Sequence, residues 1–220
     1  MRRLTPGVPF EGLFPRNSMR AGALVALLMF PGLLGCGNSV PPAIVPDLPA
    51  ASAASDALKL YDKNGKGFLD AKDLEQVPGL KAAIKQVDAN HDGKISEQEI
   101  ADRIKSWADS QIGRMPVMCR VMHGGKPLAG AKVVFVPEKF LGGKLQPGSG
   151  TTSAMGFASI SCPYEANARV QGLSPGFYRV EISKEGERIP AKYTSETTLG
   201  AEVARDAEAA GNGLKFDLQY

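Results

Sequence analysis

One twelve-residue stretch, from Asp88 to Glu99, limits what this chain can fold into more than any other. It carries side-chain oxygens at its first, third and fifth positions, a glycine at its sixth and a glutamate at its twelfth. Calcium takes about six to eight oxygen ligands, and this spacing lets one short loop supply most of them. Five residues would bind the ion, three by their side chains, one by its backbone carbonyl and one by both carboxylate oxygens: Asp88, Asn90, Asp92, Lys94 and Glu99. The stretch therefore predicts a calcium site.

A second stretch, from Asp62 to Asp73, repeats this pattern 26 residues upstream. It departs at the fifth position, where Lys66 puts a cation in place of an oxygen ligand, and at the twelfth, where aspartate is shorter than glutamate. Calcium affinity falls with the number and charge of the ligands, so we expect a weak site or a purely structural loop. The remaining ligands would be Asp62, Asn64, Phe68 through its backbone carbonyl, Asp70 and Asp73.

Both stretches resemble the metal-binding loops of the EF-hand family, and apolar residues at helical spacing flank them. The resemblance implies a small helical pair over residues 52–113. It also implies that Leu69 and Ile95, the eighth residue of each loop, join the loops in a two-stranded ladder. Ser52 or Ser55 is expected to cap the first helix, and the stretch from Ser96 to Glu99 is a capping-box arrangement that starts the last one. Because the linker between the loops is short and has no Met-rich stripe, we expect a structural ion and no groove-opening switch.

Helical spacing gives way to strand-like alternation beyond residue 115. The predicted strands are short, and Gly- and Pro-containing loops separate them: 117–122, 131–136, 157–162, 176–182, 197–203 and 214–218. Such strands predict an antiparallel β-sandwich over residues 115–220. The predicted fold class is therefore multidomain α and β, with a helical EF-hand pair followed by the sandwich.

Three stretches of this region resemble motifs of carboxypeptidase-regulatory-like domains: GKPLAGAKV at 125–133, TTSAMGF at 151–157 and PGFYRV at 175–180. The resemblance implies that the first is a hairpin, and that the sandwich is transthyretin-like (prealbumin-like) with about seven strands. It further implies a non-catalytic module in which Tyr178 supports the framework. Related folds bind starch through exposed aromatic side chains, but the loops here carry few aromatics: Phe140, Tyr164 and Tyr193.

Two cysteines, Cys119 and Cys162, lie on the apolar phase of predicted strands. An oxidising compartment would permit a disulfide between them, and a sandwich can bring two such strands together. Two buried, inert thiols are the alternative. The sequence leaves both interpretations open.

The first 35 residues have the features of an export signal. The apolar run from Ala21 to Leu34 follows two arginines and is too short to span a membrane. It ends in LLGC, which resembles the lipobox of bacterial lipoproteins. The resemblance implies cleavage before Cys36 and lipidation of that residue. Met19 is a candidate start, which would make residues 1–18 a mis-assigned extension.

Residues 36–51 are rich in Pro, Ala and Ser, which predicts a tether between the lipid and the folded regions. The chain has 26 basic and 23 acidic residues, and four of the bases and one acid precede Cys36. The remainder carries 22 of each and is neutral. It therefore has no basic excess to hold a nucleic acid, and we expect no such partner. The expected partners are the membrane, through lipidated Cys36, and an envelope protein or glycan.

The sequence offers little for catalysis. Its two histidines, His91 and His123, lie in no recognisable catalytic motif, and its carboxylates concentrate in the two loops. We therefore expect a non-catalytic, calcium-binding, lipid-anchored protein of the bacterial cell envelope. Two alternatives stay open: a carbohydrate- or wall-binding module with a calcium-stiffened spacer, and dockerin-like, calcium-dependent docking to a partner protein.

Overall fold

The computed structural model describes residues 45–163, 171–211 and 213–220. The predicted signal segment, Cys36 and most of the predicted tether lie outside the described residues. The described residues all belong to one compact unit. Among them, none of the helices combines the length and the apolar character that crossing a bilayer requires.

The helical region consists of five short helices and a two-stranded ladder. In chain order these are α1 (Ala50–Tyr61), β1 (Phe68–Leu69), α2 (Ala71–Leu74), α3 (Pro78–Ala82), α4 (Ile84–Val87), β2 (Ile95–Ser96) and α5 (Glu97–Asp109). One predicted helix is divided into α3 and α4. There the amide of Ala83 bonds to the carbonyl of Leu80, three residues back, which tightens the turn.

The start of α1 differs from the prediction that Ser52 or Ser55 caps it. The helix begins one turn earlier, after Pro49, and the Ser52 hydroxyl donates to the Pro49 carbonyl at 3.2 Å. The end of the predicted tether also belongs to the folded unit. The apolar side chains of Val45 and Leu48 border a small cavity beside Trp107, and Leu48 packs against the hydrophobic core.

The β-rich region has eight strands among the described residues. They are β3 (Val117–His123), β4 (Lys126–Pro127), β5 (Lys132–Pro137), β6 (Gly148–Thr151), β7 (Phe157–Ile160), β8 (Gly176–Ser183), β9 (Gly200–Val203) and β10 (Leu214–Leu218). One sheet has β3 at its centre, with β10 on one edge and both β7 and β4 on the other. The second sheet has the order β6-β5-β8-β9.

One strand pair contradicts the prediction of a wholly antiparallel arrangement. Strand β10 runs parallel to β3, from Leu214 opposite Cys119 to Leu218 opposite His123. The other pairs in both sheets are antiparallel. The chain enters β10 at the end where β3 begins, after Gly213, which has φ +75° and at which a β-carbon would lie 3.2 Å from the Met118 carbonyl oxygen.

Strand β6 falls in a segment whose sequence predicts a loop. Its glycines are required by close packing, since a β-carbon at Gly150 would lie 2.3 Å from the carbonyl oxygen of Ser159. The stretch 125–133 is likewise not a hairpin. Strand β4 pairs with β3, whereas β5 pairs with β6 and β8, so this stretch crosses from one sheet to the other.

The helical region and both sheets share one hydrophobic core. The rings of Phe135 on β5 and Phe216 on β10 lie 6.4 Å apart and connect the two sheets. The Trp107 ring of α5 lies 4.6 Å from that of Phe177 on β8 and connects the helices to the second sheet. Tyr178 has the framework position that was expected, because it is fully buried and its hydroxyl donates to the Ser174 carbonyl at 2.8 Å.

No disulfide joins Cys119 and Cys162 in the described part of the chain, where both are buried thiols. Cys119 faces Ala158 across the β3–β7 pair, so Cys162 lies four residues farther along. That is roughly 13 Å of extended chain, more than a disulfide can bridge. Burial raises the pKa of the Cys119 thiol to about 12, so it stays protonated and unreactive at neutral pH.

A buried carboxyl, Glu138, lies where α3 meets the end of β5. It is 3% exposed, and it accepts a hydrogen bond from the Gly79 amide at 2.8 Å. Burial raises the pKa of Glu138 to about 7, although the Gly79 amide and the Arg179 charge act in the opposite direction. Between pH 4.5 and 7 the unfolded chain releases a proton that the folded chain keeps. The stability of the fold therefore falls as the pH rises through this window.

We expect Glu138→Gln to raise the free energy of unfolding by about 3 kcal/mol at pH 8 and by less than about 1 kcal/mol at pH 5. Glutamine still accepts the Gly79 hydrogen bond but cannot ionise. Urea denaturation at the two pH values, in excess calcium, measures the difference. Glu196→Gln at an exposed position is the control. An equal effect of Glu138→Gln at both pH values would contradict the assignment.

Candidate metal centre

The two loops share an unusual backbone. Their fourth and sixth positions adopt left-handed conformations, with φ of +65° and +81° at Gly65 and Gly67, and +59° and +77° at His91 and Gly93. A side chain such as that of His91 is strained there by about 1 kcal/mol, which glycine avoids. Both loops are therefore bent in the same way, although their fifth and twelfth residues differ.

In the second loop, backbone amides hold the first three oxygen-bearing side chains. The Asp88 carboxylate accepts hydrogen bonds from the amides of Asp92 and Gly93, at 3.2 and 2.9 Å. The Asn90 side-chain oxygen also accepts from the Asp92 amide, at 2.9 Å, and the Asp92 carboxylate accepts from the Lys94 amide at 2.8 Å. These bonds order the side chains that the sequence predicts as ligands.

Glu99 connects the two ends of the second loop. One carboxylate oxygen accepts from the Ala89 amide at 3.1 Å, and the other from the amide and hydroxyl of Ser96 at 2.9 and 2.8 Å. The Glu99 amide in turn donates to the Ser96 hydroxyl, which completes the predicted capping box of α5. The same carboxylate thus closes the loop and starts the helix.

The donor set of the second loop fits calcium by its chemistry. It combines three carboxylates, an amide oxygen and a backbone carbonyl, all hard oxygen ligands. The three carboxylates proposed as ligands lie within twelve residues, and one of them, on Asp88, is buried with 7% exposed. In the described residues, no three His, Cys, Asp or Glu side chains converge on a common metal position. The carboxylates instead accept the hydrogen bonds given above. Neutral amide donors stabilise several neighbouring negative charges less than a calcium ion would.

In the first loop, a lysine side chain of the loop itself contacts two of the predicted ligands. The Lys66 ammonium donates to Asp70 at 2.5 Å and to Asp73 at 2.6 Å. These hydrogen bonds raise the pKa of Lys66, and the one from Lys66 is the main cause that lowers the pKa of Asp70 to about 2. Asp70 also caps α2. Of the predicted ligands, the structure therefore brings Asp70 and Asp73 together around an ammonium.

The predicted ladder between the loops is confirmed. Leu69 pairs with Ile95 in antiparallel fashion, and both side chains are fully buried. The exposed edge of the ladder carries a cation–π arrangement in which the ammonium groups of Lys66 and Lys94 lie 5.4 and 4.6 Å from the Phe68 ring centre. The two loops consequently form one structural element.

Helix α5 connects the second loop to the β-rich region by a polar cluster in which Arg103 and Glu202 are buried and Asp206 is exposed. The Arg103 guanidinium donates to Glu202 at 2.6 Å and in two parallel bonds to Asp206, each 2.8 Å long. The Trp107 indole donates to the same Glu202 oxygen at 3.0 Å. Burial raises the pKa of Glu202, whereas the hydrogen bond from Arg103 lowers the pKa of Asp206. Glu99, Arg103 and Trp107 follow one another at four-residue spacing, on one side of the helix.

Sequence reasoning missed this cluster. The available signal was Arg103 itself, a charged residue beside Ile104 within the apolar stripe of α5. Its acidic partners lie about a hundred residues away in a segment with no motif, so spacing alone could not identify them. The His91 and His123 side chains take no part in the cluster. His123 instead stacks on Tyr220, with ring centres 4.0 Å apart.

Comparison with known protein families supports the metal centre. Residues 55–78 and 80–102 each match the family model of the EF hand, and each match contains one of the loops. The helical region is therefore an EF-hand region, which implies calcium binding, and a β-rich region with antiparallel sheets follows it. No curated protein matches the chain in a sequence comparison.

Proposed function

We propose that this protein binds calcium in its second loop and that the ion fixes the EF-hand region against the β-rich region. The observation that carries the proposal is the position of Glu99. This residue is the predicted twelfth-position ligand, and it also lies in the first turn of α5, the helix that carries Arg103 and Trp107 to Glu202. Calcium at the loop would hold the start of the same helix whose later turns contact the sheet.

The energetic benefit follows from mass action. A ligand that binds only the folded state adds about 2.7 kcal/mol to stability at a hundred times its dissociation constant. Calcium modules outside the cytosol have dissociation constants of about 10⁻⁴–10⁻³ M. The ion proposed here is therefore a constitutive structural part, and the loops are already paired through Leu69 and Ile95.

The proposed setting is the bacterial cell envelope. The LLGC sequence ending at Cys36 supports an exported lipoprotein, and the predicted partners are the membrane and an envelope protein or glycan. For the β-rich region we propose a non-catalytic, carboxypeptidase-regulatory-like module with a transthyretin-like fold. The PGFYRV stretch, which opens β8 and supplies the framework residue Tyr178, supports this assignment.

The carbohydrate-binding alternative gains no support from the two loop aromatics that the structure describes. It requires exposed aromatic side chains in the loops of the β-rich region. Phe140 and Tyr193 are buried, at 1% and 7% exposed, and Tyr164 lies outside the described residues. We therefore propose a protein partner ahead of a glycan.

Glu99→Gln tests the calcium site. We expect it to weaken calcium binding on the order of 100-fold, because it removes one charge from the only twelfth-position glutamate of the two loops. Isothermal titration calorimetry measures the affinity, and melting curves with and without calcium measure the stabilisation. The matched control is Glu97→Gln, an exposed glutamate in the same helical turn. Absence of calcium binding by the unmodified protein, or equal loss in both variants, would contradict the proposal.

A further inference from the structure

We propose that the Lys66 ammonium is a built-in cation of the first loop, so that the EF-hand pair takes one calcium ion and not two. The inference depends on the proposed function only for the second loop. It assigns to Lys66 the role of counter-ion that calcium would have in a regular loop. Removal of this lysine is then expected to uncover a second calcium site.

The position of Lys66 supports this assignment. It is the fifth residue of the loop, where a regular loop supplies a side-chain oxygen to the metal. Its ammonium bonds to Asp70 and Asp73, the ninth and twelfth residues, at 2.5 and 2.6 Å. Two of the side chains that would otherwise bind calcium therefore bind the lysine.

The first loop also has the folded form of the second. In each loop the sixth-position amide donates to the first aspartate, at 2.7 Å for Gly67 and 2.9 Å for Gly93. In each loop the ninth-position amide also donates to the twelfth-position carboxylate, at 3.0 Å for Asp70 and 2.9 Å for Ser96. A loop with three carboxylates thus keeps the form of a calcium loop while its own ammonium supplies a neutralising charge.

One carboxylate oxygen of the first loop lacks a hydrogen-bond donor among the described residues. Asp62 Oδ1 is buried and receives no hydrogen bond of normal geometry from any described residue. The ammonium contacts the ninth and twelfth positions, whereas this oxygen belongs to the first. The other oxygen of Asp62 accepts from the Gly67 amide, and Oδ1 would gain a partner if a divalent ion replaced the ammonium.

The physical consequence concerns order in the absence of calcium. Because Lys66 is attached to the chain, it neutralises the first loop at every calcium concentration. Strand β1, which belongs to the first loop, is then held in place for pairing with β2 before calcium binds to the second loop. Such preorganisation reduces the ordering cost of binding at that loop.

The first experiment counts calcium ions bound to the purified protein by native mass spectrometry and calorimetry. We expect one ion on the unmodified chain and none on the Glu99→Gln variant at the same calcium concentration. Two ions on the unmodified chain, or one retained by Glu99→Gln with unchanged affinity, would overturn the inference. A chain that binds none would instead contradict the proposed function, and the next experiment would still test Lys66.

The second experiment places Lys66→Asp in the Glu99→Gln background, which isolates the first loop. We expect this double variant to gain one calcium ion, because position 66 then supplies a carboxylate and the ammonium is gone. The control is Lys63→Asp in the same background, which adds the same charge at an exposed second position and should bind none. A folded Lys66→Asp double variant without bound calcium, or equal gain in the control, would overturn the inference.

A third measurement needs no calcium. Lys66→Met removes the cation without adding a ligand, so we expect it to lower the melting temperature in the presence of a chelator. Lys63→Met should leave that temperature unchanged. Equal melting temperatures for the two variants would show that the Lys66 ammonium does not hold the first loop.

Discussion

Gly200→Ala is expected to lower the free energy of unfolding by about 3 kcal/mol or more. A β-carbon at this position would lie 1.9 Å from the carbonyl oxygen of Pro78 and 2.1 Å from its carbonyl carbon. Both are backbone atoms at the start of α3, so no side-chain rotation can relieve the overlap. Either α3 or β9 must move, and the contact between the helical region and the second sheet opens.

Gly79 reinforces the same contact from the opposite side. A β-carbon there would lie 2.7 Å from the amide nitrogen of Tyr178 on β8. The helix backbone and the sheet backbone therefore approach each other without side chains between them. Close backbone approach of this kind is available only to glycine, which accounts for the glycine at the second position of α3.

Urea denaturation in excess calcium measures the effect of Gly200→Ala. Gly211→Ala is the matched control, because its new β-carbon would have an ordinary separation of 3.7 Å from the Glu208 carbonyl oxygen. We expect the control to change stability by less than about 1 kcal/mol. A Gly200→Ala protein within that limit would show that the helical region does not need this close approach.

Arg103→Met is expected to cost about 3–5 kcal/mol at pH 8. The substitution preserves much of the side-chain volume but leaves Glu202, 4% exposed, without its cationic partner. The Trp107 indole would still donate to one oxygen of Glu202, whereas the other has no hydrogen bond within the described residues. A buried charge with one neutral donor is far less favourable than the present ion pair.

The effect of Arg103→Met depends on pH with a definite sign. Burial raises the pKa of Glu202 even with Arg103 present, and removal of the guanidinium raises it further. A raised carboxyl pKa costs stability only above the pKa of the unfolded chain, about 4.3. The loss caused by Arg103→Met should therefore be smaller at pH 5 than at pH 8.

Two further variants make the Arg103 experiment decisive. Lys105→Met removes an exposed cation from the same helix and should change stability by less than about 1 kcal/mol. Arg103→Met combined with Glu202→Gln removes the uncompensated charge and should recover part of the loss. If the single and double variants are equally unstable at pH 8, packing and not charge accounts for the role of Arg103.

Both substitutions act at the junction between the helices and the second sheet. Gly200 lies where α3 meets β9, and Arg103 lies where α5 meets β9 and the segment after it. Because the two regions share one core, loss of either contact is expected to weaken the whole fold rather than release one part. Calcium at the second loop would act on this junction through α5.

Local sequence was sufficient wherever neighbouring residues determine the structure. The spacing within 88–99 predicted the bent loop and the capping box at Ser96, the resemblance to the EF-hand family implied the pairing of Leu69 with Ile95, and each is present. Alternation predicted most of the strands for the same reason, since one face of each is buried. The bent loop, the capping box and the strand alternation depend on contacts over a few residues, so their signal is complete in a short window.

Tertiary structure alone decided the features that depend on distant partners. The glycines of β6 are typical of a loop in the sequence, and only the folded structure places Gly150 against Ser159. The parallel pairing of β10 with β3 likewise depends on the path of the chain between them. In the sequence, Arg103 is a charged residue within an apolar stripe, and its partner Glu202 is 99 residues away. Long-range packing selects these arrangements, because the burial and charge pairing that stabilise them exist only after the chain has folded.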